Sequence, residues 1–401
     1  MGRDRGSELL IDLVMPVYNE ADALPAVLAS LSRQVDAFGT PLRRDRFRII
    51  AVNNSSADCS LEILRCWAVE MGNPELVILE EPRKGHVLAR ATGSAFALTA
   101  PNRPLVVHAD SDNLFPPTFI DDIARRFERG DIDVLSYLGF EPVEFWKRVP
   151  RLARRQLEEV GSISFCPETL RELGLDECKS LITPRIFADF ENVPTHCGLA
   201  MTKQVYKRAG GYIQEFNADG TERLGVARNF MFRLDRAGAR LAHILSPSVM
   251  VNPRRYLLEA EDLWAGRSYT AGMTDLRQPI RDEHYVLLDQ MSEKLDYGTA
   301  RRNTVQRFII DPCIARPERV LRNRVYFGSS ADEVYRKIWS FLCRHDVRLY
   351  TDVRGFSDEL VDEHYPVILS NLRALRGLEA RDEGSCLSNR FQSRPQFRCQ
   401  K

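Results

Sequence analysis

Apolar runs and helix-period stretches alternate along the first third of the chain. LLIDLVMPV (9–17) is an apolar run stopped by Pro16 and reads as a buried strand. EADALPAVLASLSRQ then places Leu24, Val27, Leu28 and Leu31 on one helical face. RFRIIAVNN predicts a second strand. SADCSLEILRCWAVE predicts a second helix through Leu61, Ile63, Leu64 and Trp67, with Asp58 or Ser60 as its cap. ELVILEE, GHVLARATGSAFALTA and PLVVHADSD continue as strand, helix and strand. Such alternation means βαβ units and a parallel sheet. No repeat with a period of about 20–50 residues is present, so a solenoid is excluded.

Past residue 119 the pattern loosens. FIDDIARRFER reads as helix, IDVLSYLGF as strand, and 144–186 as a polar, helix-leaning stretch. THCGLAMTKQVYKRAGGY (195–212) predicts a short strand, a helix and a Gly-Gly stop. NFMFRLDRAGARLAHI predicts a helix ended by Gly238 and leading into a strand. SVMVNPRR reads as one more strand, ending in the basic pair Arg254 and Arg255. Beyond Tyr256 the signals are mainly helical, broken at Pro312 and Pro317. This divides the chain into an α/β domain over 1–256, a mainly helical region over 257–376 and a polar, aperiodic tail over 377–401 that is expected to be disordered. The run YLLEAEDLWAGRSYTAGMTDL either covers a groove or partner or packs as core against the α/β domain; core packing is the plainer reading.

Charge and cysteine content narrow the function class. The 401 residues carry 56 Lys and Arg against 56 Asp and Glu, and this zero balance argues against a nucleic-acid partner. The nine cysteines form no CxxC pair and no even framework. They read as reduced thiols of a cytoplasmic protein rather than as a zinc site or disulfides. The apolar run near the start is too short for a signal peptide and lacks a small-residue cleavage site. Gly6 stands where myristoylation needs Ser or Thr. No stretch reaches the roughly 18 apolar residues of a membrane span.

The chemistry gathers at strand ends, where open parallel sheets bind their ligands. Four ends carry polar residues: PVYNE (16–20), NNSS (53–56), EPRKG (81–85) and DSDN (110–113). Asp110 and Asp112, one residue apart, repel each other unless a positive partner lies near. Hard carboxylate oxygens beside Lys84 and Arg90 suit a nucleotide diphosphate carried with Mg²⁺ or Mn²⁺. Taken singly, each motif has a plain alternative: a capped loop for NNSSAD, a turn of solvated charges for RKG. Their order along successive strands is what gives them weight.

That order resembles family 2 glycosyltransferases, which have the GT-A fold. LVMPVYNEADALPAVLASL looks like the family's opening, and VNNSSADCS resembles its V-D-D-x-S-x-D motif with Asn53 and Asn54 in place of acids. RKGHVLARATG is similar to its third motif, HADSDN to its Asp-x-Asp, and HCGLAMTKQVYKRAGGY to the segment leading to the acceptor side. The resemblance spans roughly residues 9–256, with a nucleotide-sugar half over 9–118 and an acceptor half over 119–256. It implies a metal-dependent, inverting transfer from a UDP- or GDP-sugar to an acceptor. In this scheme Pro16, Tyr18 and Glu20 border the base and ribose, and Asn53 and Asp58 contact the base. Lys84 and Arg90 lie near base or phosphates, Asp110 faces ribose or sugar, and Asp112 is the metal ligand. Arg254 and Arg255 clamp the pyrophosphate, or else form a solvated basic pair. No residue pattern names the acceptor or an oligomeric state.

One departure bears on the reaction. The family keeps its general base in G-E-D-x-x-L-x-x-R-L, whereas GVARNFMFRL puts Val226 and Ala227 at the acidic positions. Neither can accept a proton from an attacking hydroxyl. Glu222, then Asp219, in the adjoining NADGTERLG are the expected substitutes; Asp189, Glu191 and His196 in DFENVPTHCG are further acceptor-side candidates. For His196 a packed structural histidine is the commoner reading. Two other readings remain: a catalytically silent nucleotide-sugar-binding or scaffold protein, and a related transferase whose acceptor is acidic enough to need no strong base. A nucleotidyltransferase is disfavoured, since no Gly-rich phosphate loop follows the first strand.

Overall fold

In the computed structural model, residues 9–70, 76–178, 180–183, 185–190, 197–216, 226–265, 279–345, 347 and 350–382 are described. Among them, strands β1 (Ile11–Val17), β2 (Phe47–Asn53), β3 (Leu76–Glu80), β4 (Leu105–Ala109), β5 (Val134–Phe140), β6 (Gly198–Thr202) and β7 (Leu241–Met250) form one sheet in the order β3-β2-β1-β4-β6-β5-β7. Strand β6 runs antiparallel to β4 and β5; the other neighbours pair in parallel. All strands but β6 therefore deliver their carboxyl ends to one edge. The fold class is the one expected, a mostly parallel sheet flanked by helices and followed by a helical extension.

Helices α1 (Leu24–Ser32), α2 (Ser60–Glu70), α3 (His86–Ala97) and α4 (Phe119–Glu128) connect the first strands. Burial on both faces explains why β1 and β4 are almost wholly apolar. The four apolar positions of α1, Leu24, Val27, Leu28 and Leu31, are all buried, as their spacing requires. Gly93 lets α3 press on the sheet: a Cβ there would meet Val14 Cγ1 at 2.4 Å and Val52 Cγ2 at 3.0 Å. At the amino edge, buried Asp12 accepts from Arg48 Nε at 2.9 Å and Lys203 Nζ at 2.7 Å, pinning β1 to β2 and to the end of β6.

Helices α5 (Val143–Arg148), α6 (Pro150–Glu159), α7 (Pro167–Glu172) and α8 (Arg185–Asp189) follow β5, and α9 (Lys203–Arg208) and α10 (Val226–Arg236) flank the last strands. The extension comprises α11 (Arg254–Leu258), α12 (Ala260–Trp264), α13 (Asp282–Met291), α14 (Tyr297–Val305), a π-helical turn (Gln306–Ile310), α15 (Asp311–Ala315), α16 (Glu318–Arg322), α17 (Arg324–Phe327), α18 (Ala331–Arg344) and α19 (Tyr350–Asp382). None of the described helices is long and apolar enough to cross a membrane.

The extension packs as core. Leu138 and Phe140 of β5 share one buried cluster with Ile309, Ile314, Phe327 and Ile338. Leu257 and Trp264 join Phe145 and Trp146 in another, so the described part of the 256–276 run packs as core. Arg319, buried, pairs with Asp235 of α10, its Nη2 donating to Oδ1 at 3.1 Å.

Two element boundaries differ from expectation. LAHI and SVM are not separate strands but parts of one, β7, which stops at Met250 where its pairing with Phe140 ends. Arg254 and Arg255 therefore open α11 instead of closing a strand; Asn252 Oδ1 accepts from Arg254 N at 3.1 Å and turns the chain into that helix. The final helix runs to Asp382, beyond the boundary at 376, because LRALRGLEARD is rich in strong helix formers. Residues 383–401 lie outside the described set.

Candidate active site

Three loops meet at the carboxyl edge of the sheet and are tied to one another by polar contacts. After β1, Asn19 takes a left-handed conformation (φ 52°), and Ser55 after β2 does likewise (φ 58°). Asn19 N donates to Ser56 Oγ at 3.1 Å and Asn19 Oδ1 accepts from Ala57 N at 2.8 Å, so the two loops lock together. Asn54 braces the third loop. Its Nδ2 donates to the carbonyls of Glu81 (2.9 Å) and Arg83 (2.7 Å), and its Oδ1 accepts from Gly85 N (2.9 Å). Both polar atoms of the Asn54 side chain are thus used in holding the rim.

Asp58 is placed in the same scaffold. It accepts from Ala21 N and Ser60 N, each at 3.0 Å. Burial raises its carboxyl, but the bonds from Ser60 and Ala21 outweigh this and hold it below the usual range. Asn53, buried at the last position of β2, accepts a long bond from Ser56 N at its side-chain Oδ1 (3.3 Å). Pro16 sits inside β1 opposite Val52. Tyr18 lies beneath Lys84, whose Nζ is 5.5 Å from the ring centre and donates to the Tyr18 hydroxyl at 3.3 Å.

The two aspartates after β4 each face a guanidinium. Arg90, 5% exposed on α3, pairs with Asp110. Next to it His108 is buried between Tyr206 and Tyr212; burial first, then the charge of Arg90, hold it well below its ordinary pKa and keep it neutral. Arg254 bridges the other aspartate to Glu20. Its Nη1 donates to Glu20 Oε2 at 2.9 Å and its Nη2 to Asp112 Oδ2 at 2.9 Å. Burial pushes Glu20 up to about 7, Arg254 pulls it down, and Asp112 adds to the rise. Burial likewise raises Asp112. Arg255, one residue on, reaches Glu259 at 3.9 Å.

Glu20, Arg90, Asp110, Asp112 and Arg254 therefore converge. Tyr18, Asn53, Asp58 and Lys84 lie on the surrounding rim. The acceptor side is less complete. Glu191, His196, Asp219 and Glu222 all lie outside the described residues. Val226 and Ala227 open α10. Asp189 pairs with Arg185 at 3.3 Å and accepts from the Tyr326 hydroxyl, so its carboxyl serves packing of the helical extension.

Motif reading passed over Glu141. It follows β5 directly, at the same sheet edge, and its side chain hydrogen-bonds Tyr256 of α11. Nearby, the Cys197 thiol is pushed up to about 12 by burial and by the charges of Asp110, Glu141 and Asp112, with Arg307 opposing them. The only sequence signal was position: an acid directly after the strand IDVLSYLGF.

Residues 12–175 match the profile of glycosyl transferase family 2. An undecaprenyl-phosphate 4-deoxy-4-formamido-L-arabinose transferase of Pseudomonas aeruginosa (strain LESB58) is 30% identical over 142 residues, 35% of this chain and 39% of that protein. A dolichyl-phosphate hexose transferase of Haloferax volcanii is 32% identical over 157 residues, 38% of this chain and 55% of that one. The matched region thus spans well under two thirds of either relative. A mannosyltransferase of Pyrobaculum calidifontis, solved with GDP-Man and Mn²⁺, aligns over 94% of this chain and 88% of its own at 14% identity and a TM-score of 0.41. The strand-end motifs of β1 to β4 all fall inside the segment 12–175 that matches glycosyl transferase family 2.

Proposed function

We propose that the protein transfers a sugar from a nucleotide-diphosphate donor to an acceptor, with inversion at the anomeric carbon and with a divalent metal. The observation that carries this reading is the convergence of Glu20, Asp110 and Asp112 with Arg90 and Arg254 at the carboxyl edge of a family 2 domain. The donor set fits a hard ion, Mn²⁺ or Mg²⁺, since it is made of carboxylate oxygens. Among the described residues no group of three acids, histidines or cysteines is arranged to hold an ion unaided. Asp112, with Asp110 beside it, would therefore hold the metal together with the donor's diphosphate. When bound, the ion stabilises negative charge on the departing diphosphate.

The chain's own groups divide the remaining work. Tyr18 offers a ring face and Asn53 an amide to the base, with Pro16, Glu20 and Asp58 bordering the nucleoside. Lys84, Arg254 and Arg255 meet phosphate oxygens. Arg90 acts through Asp110, whose orientation it fixes. Glu222 and Asp219, with Glu191 and His196, belong to the acceptor side of the proposal. A cytoplasmic location belongs to it too, supported by the scattered cysteines, and cell fractionation tests it.

Calorimetry with UDP and GDP, each with and without Mn²⁺, tests the reading. Asp112→Ala is expected to lose more than about tenfold in metal-dependent affinity, over 1.4 kcal/mol, with an unchanged fold. Equal binding by parent and variant sinks the assignment of this aspartate. Val226 and Ala227 favour a second reading, a silent nucleotide-sugar binder. Donor binding without transfer across a broad acceptor screen would select it.

A further inference from the structure

We propose that Glu141 is the base that takes the proton from the acceptor, and that the acceptor's nucleophile is therefore a hydroxyl and not an anion. The inference rests on the transfer reading above and goes beyond it by naming the acceptor's chemical class. Three observations converge on it. First, Glu141 stands directly after β5, and β5 is parallel to β7 and shares its direction with β4, so the carboxyl lies at the same edge as Asp110 and Asp112. Second, the surrounding segments are pressed together there. A Cβ on Gly139 would meet Cys197 Sγ at 2.3 Å and Val251 Cγ2 at 2.5 Å. Val251 N donates to Phe140 O at 2.9 Å, and Asn113 Nδ2 reaches Cys197 O at 3.5 Å. Glu141 is thus linked through its neighbours to the Asp-x-Asp loop on one side and to the start of α11 on the other. Third, among the described residues the acids of the β1 and β4 loops are engaged: Glu20 and Asp112 hold Arg254, and Asp110 holds Arg90. Glu141 has the Tyr256 hydroxyl as its side-chain partner and no ion pair among the described residues.

The reaction then balances. The acceptor oxygen forms its bond to the anomeric carbon, and the bond from that carbon to the diphosphate breaks. The electron pair departs with the nucleoside diphosphate, and the hydroxyl proton moves to the Glu141 carboxylate, from which water removes it. Burial pushes the Glu141 carboxyl up to about 7, which suits a base working near neutral pH. Its side chain meets the Tyr256 hydroxyl, and the buried Cys197 thiol nearby feels Glu141 together with Asp110, Asp112 and Arg307.

The test compares the full-length parent with Glu141→Gln, Glu141→Asp and Glu222→Gln. Transfer is measured over about pH 5 to 9 with alcohol and phosphate acceptors, alongside calorimetry with the nucleotide diphosphate and Mn²⁺ and thermal melts. Glu141→Gln is expected to lower kcat about 10²–10⁴-fold, to keep donor affinity, and to lose the rise of rate centred near pH 7. Glu141→Asp, which keeps the acid one methylene short, is expected to lower kcat and retain a rise; it serves as the test if the Gln variant does not fold. Full rate in Glu141→Gln, an unchanged pH rise, or a comparable loss in Glu222→Gln alone overturns the assignment. Transfer to a phosphate that is insensitive to Glu141→Gln overturns the acceptor class. A parent that binds no nucleotide diphosphate overturns the transfer reading itself.

Discussion

At the scale of single residues, the repulsion built into Asp110-Ser111-Asp112 is met by arginines from distant parts of the chain. The motif itself was legible, since two acids closing an apolar strand are conspicuous. The pairing of Asp112 was not: Arg254 lies 142 positions away, and no local pattern links them. Glu141 escaped for a related reason. A lone acid after a strand resembles any polar strand end, and only folding brings Cys197 and Tyr256 against it. Its raised carboxyl has a consequence for stability that needs no activity assay. Between about 4.5, the ordinary value, and about 7, the folded state holds a proton that the unfolded state has released. Stability from this group is therefore complete below about 4.5 and lost as pH rises to about 7. The melting temperature of the parent relative to Glu141→Gln should fall across that window and then level off; a constant difference would contradict the shift. At Gly139 the prediction is steric. Gly139→Ala forces a methyl onto Cys197 Sγ and should cost about 1–3 kcal/mol in denaturant melts, with Cys197→Gly in the same chain recovering part of it.

At the scale of elements, strands were read best where both faces are covered, because a doubly buried strand is apolar along most of its length. β1, β2 and β4 are of that kind. β7 was split in two because it is only partly buried and Ser246-Pro247 interrupts its apolar pattern. The antiparallel direction of β6 was likewise invisible in GLAMT, since direction is fixed by pairing with β4 and β5 rather than by residue type. Attachment of the helical extension to α10 depends on a buried ion pair. Arg319 and Asp235 are 1% and 8% exposed. Arg319→Met should destabilise by about 3–5 kcal/mol, since it leaves Asp235 buried with less compensation. Replacing both residues by apolar ones should recover much of that loss. Chemical denaturation of the single and double variants checks it, and an Arg319→Met loss within error of zero would remove the pair from the account.

At the scale of the whole molecule, the boundary drawn near 256 marks a change of pattern and not an independent core. Phe140 of the sheet and Ile338 of the extension lie in one buried cluster. A chain ended at residue 256 would expose that surface, so it should melt well below the parent or fail to fold; an unchanged melting temperature would contradict a shared core. The bridge that Arg254, at the start of α11, makes between Glu20 and Asp112 bears on how ligands enter. A guanidinium already sits between two acids, so a divalent ion arriving alone has to evict a resident cation and gains only the difference between the two. A diphosphate arriving with the ion offers the displaced arginine an anion to land on. Ion and nucleotide should then each bind weakly alone and strengthen one another, by about 1–3 kcal/mol in either order of addition. Arg254→Met should remove the competition, leaving the ion tighter by itself and the mutual reinforcement smaller.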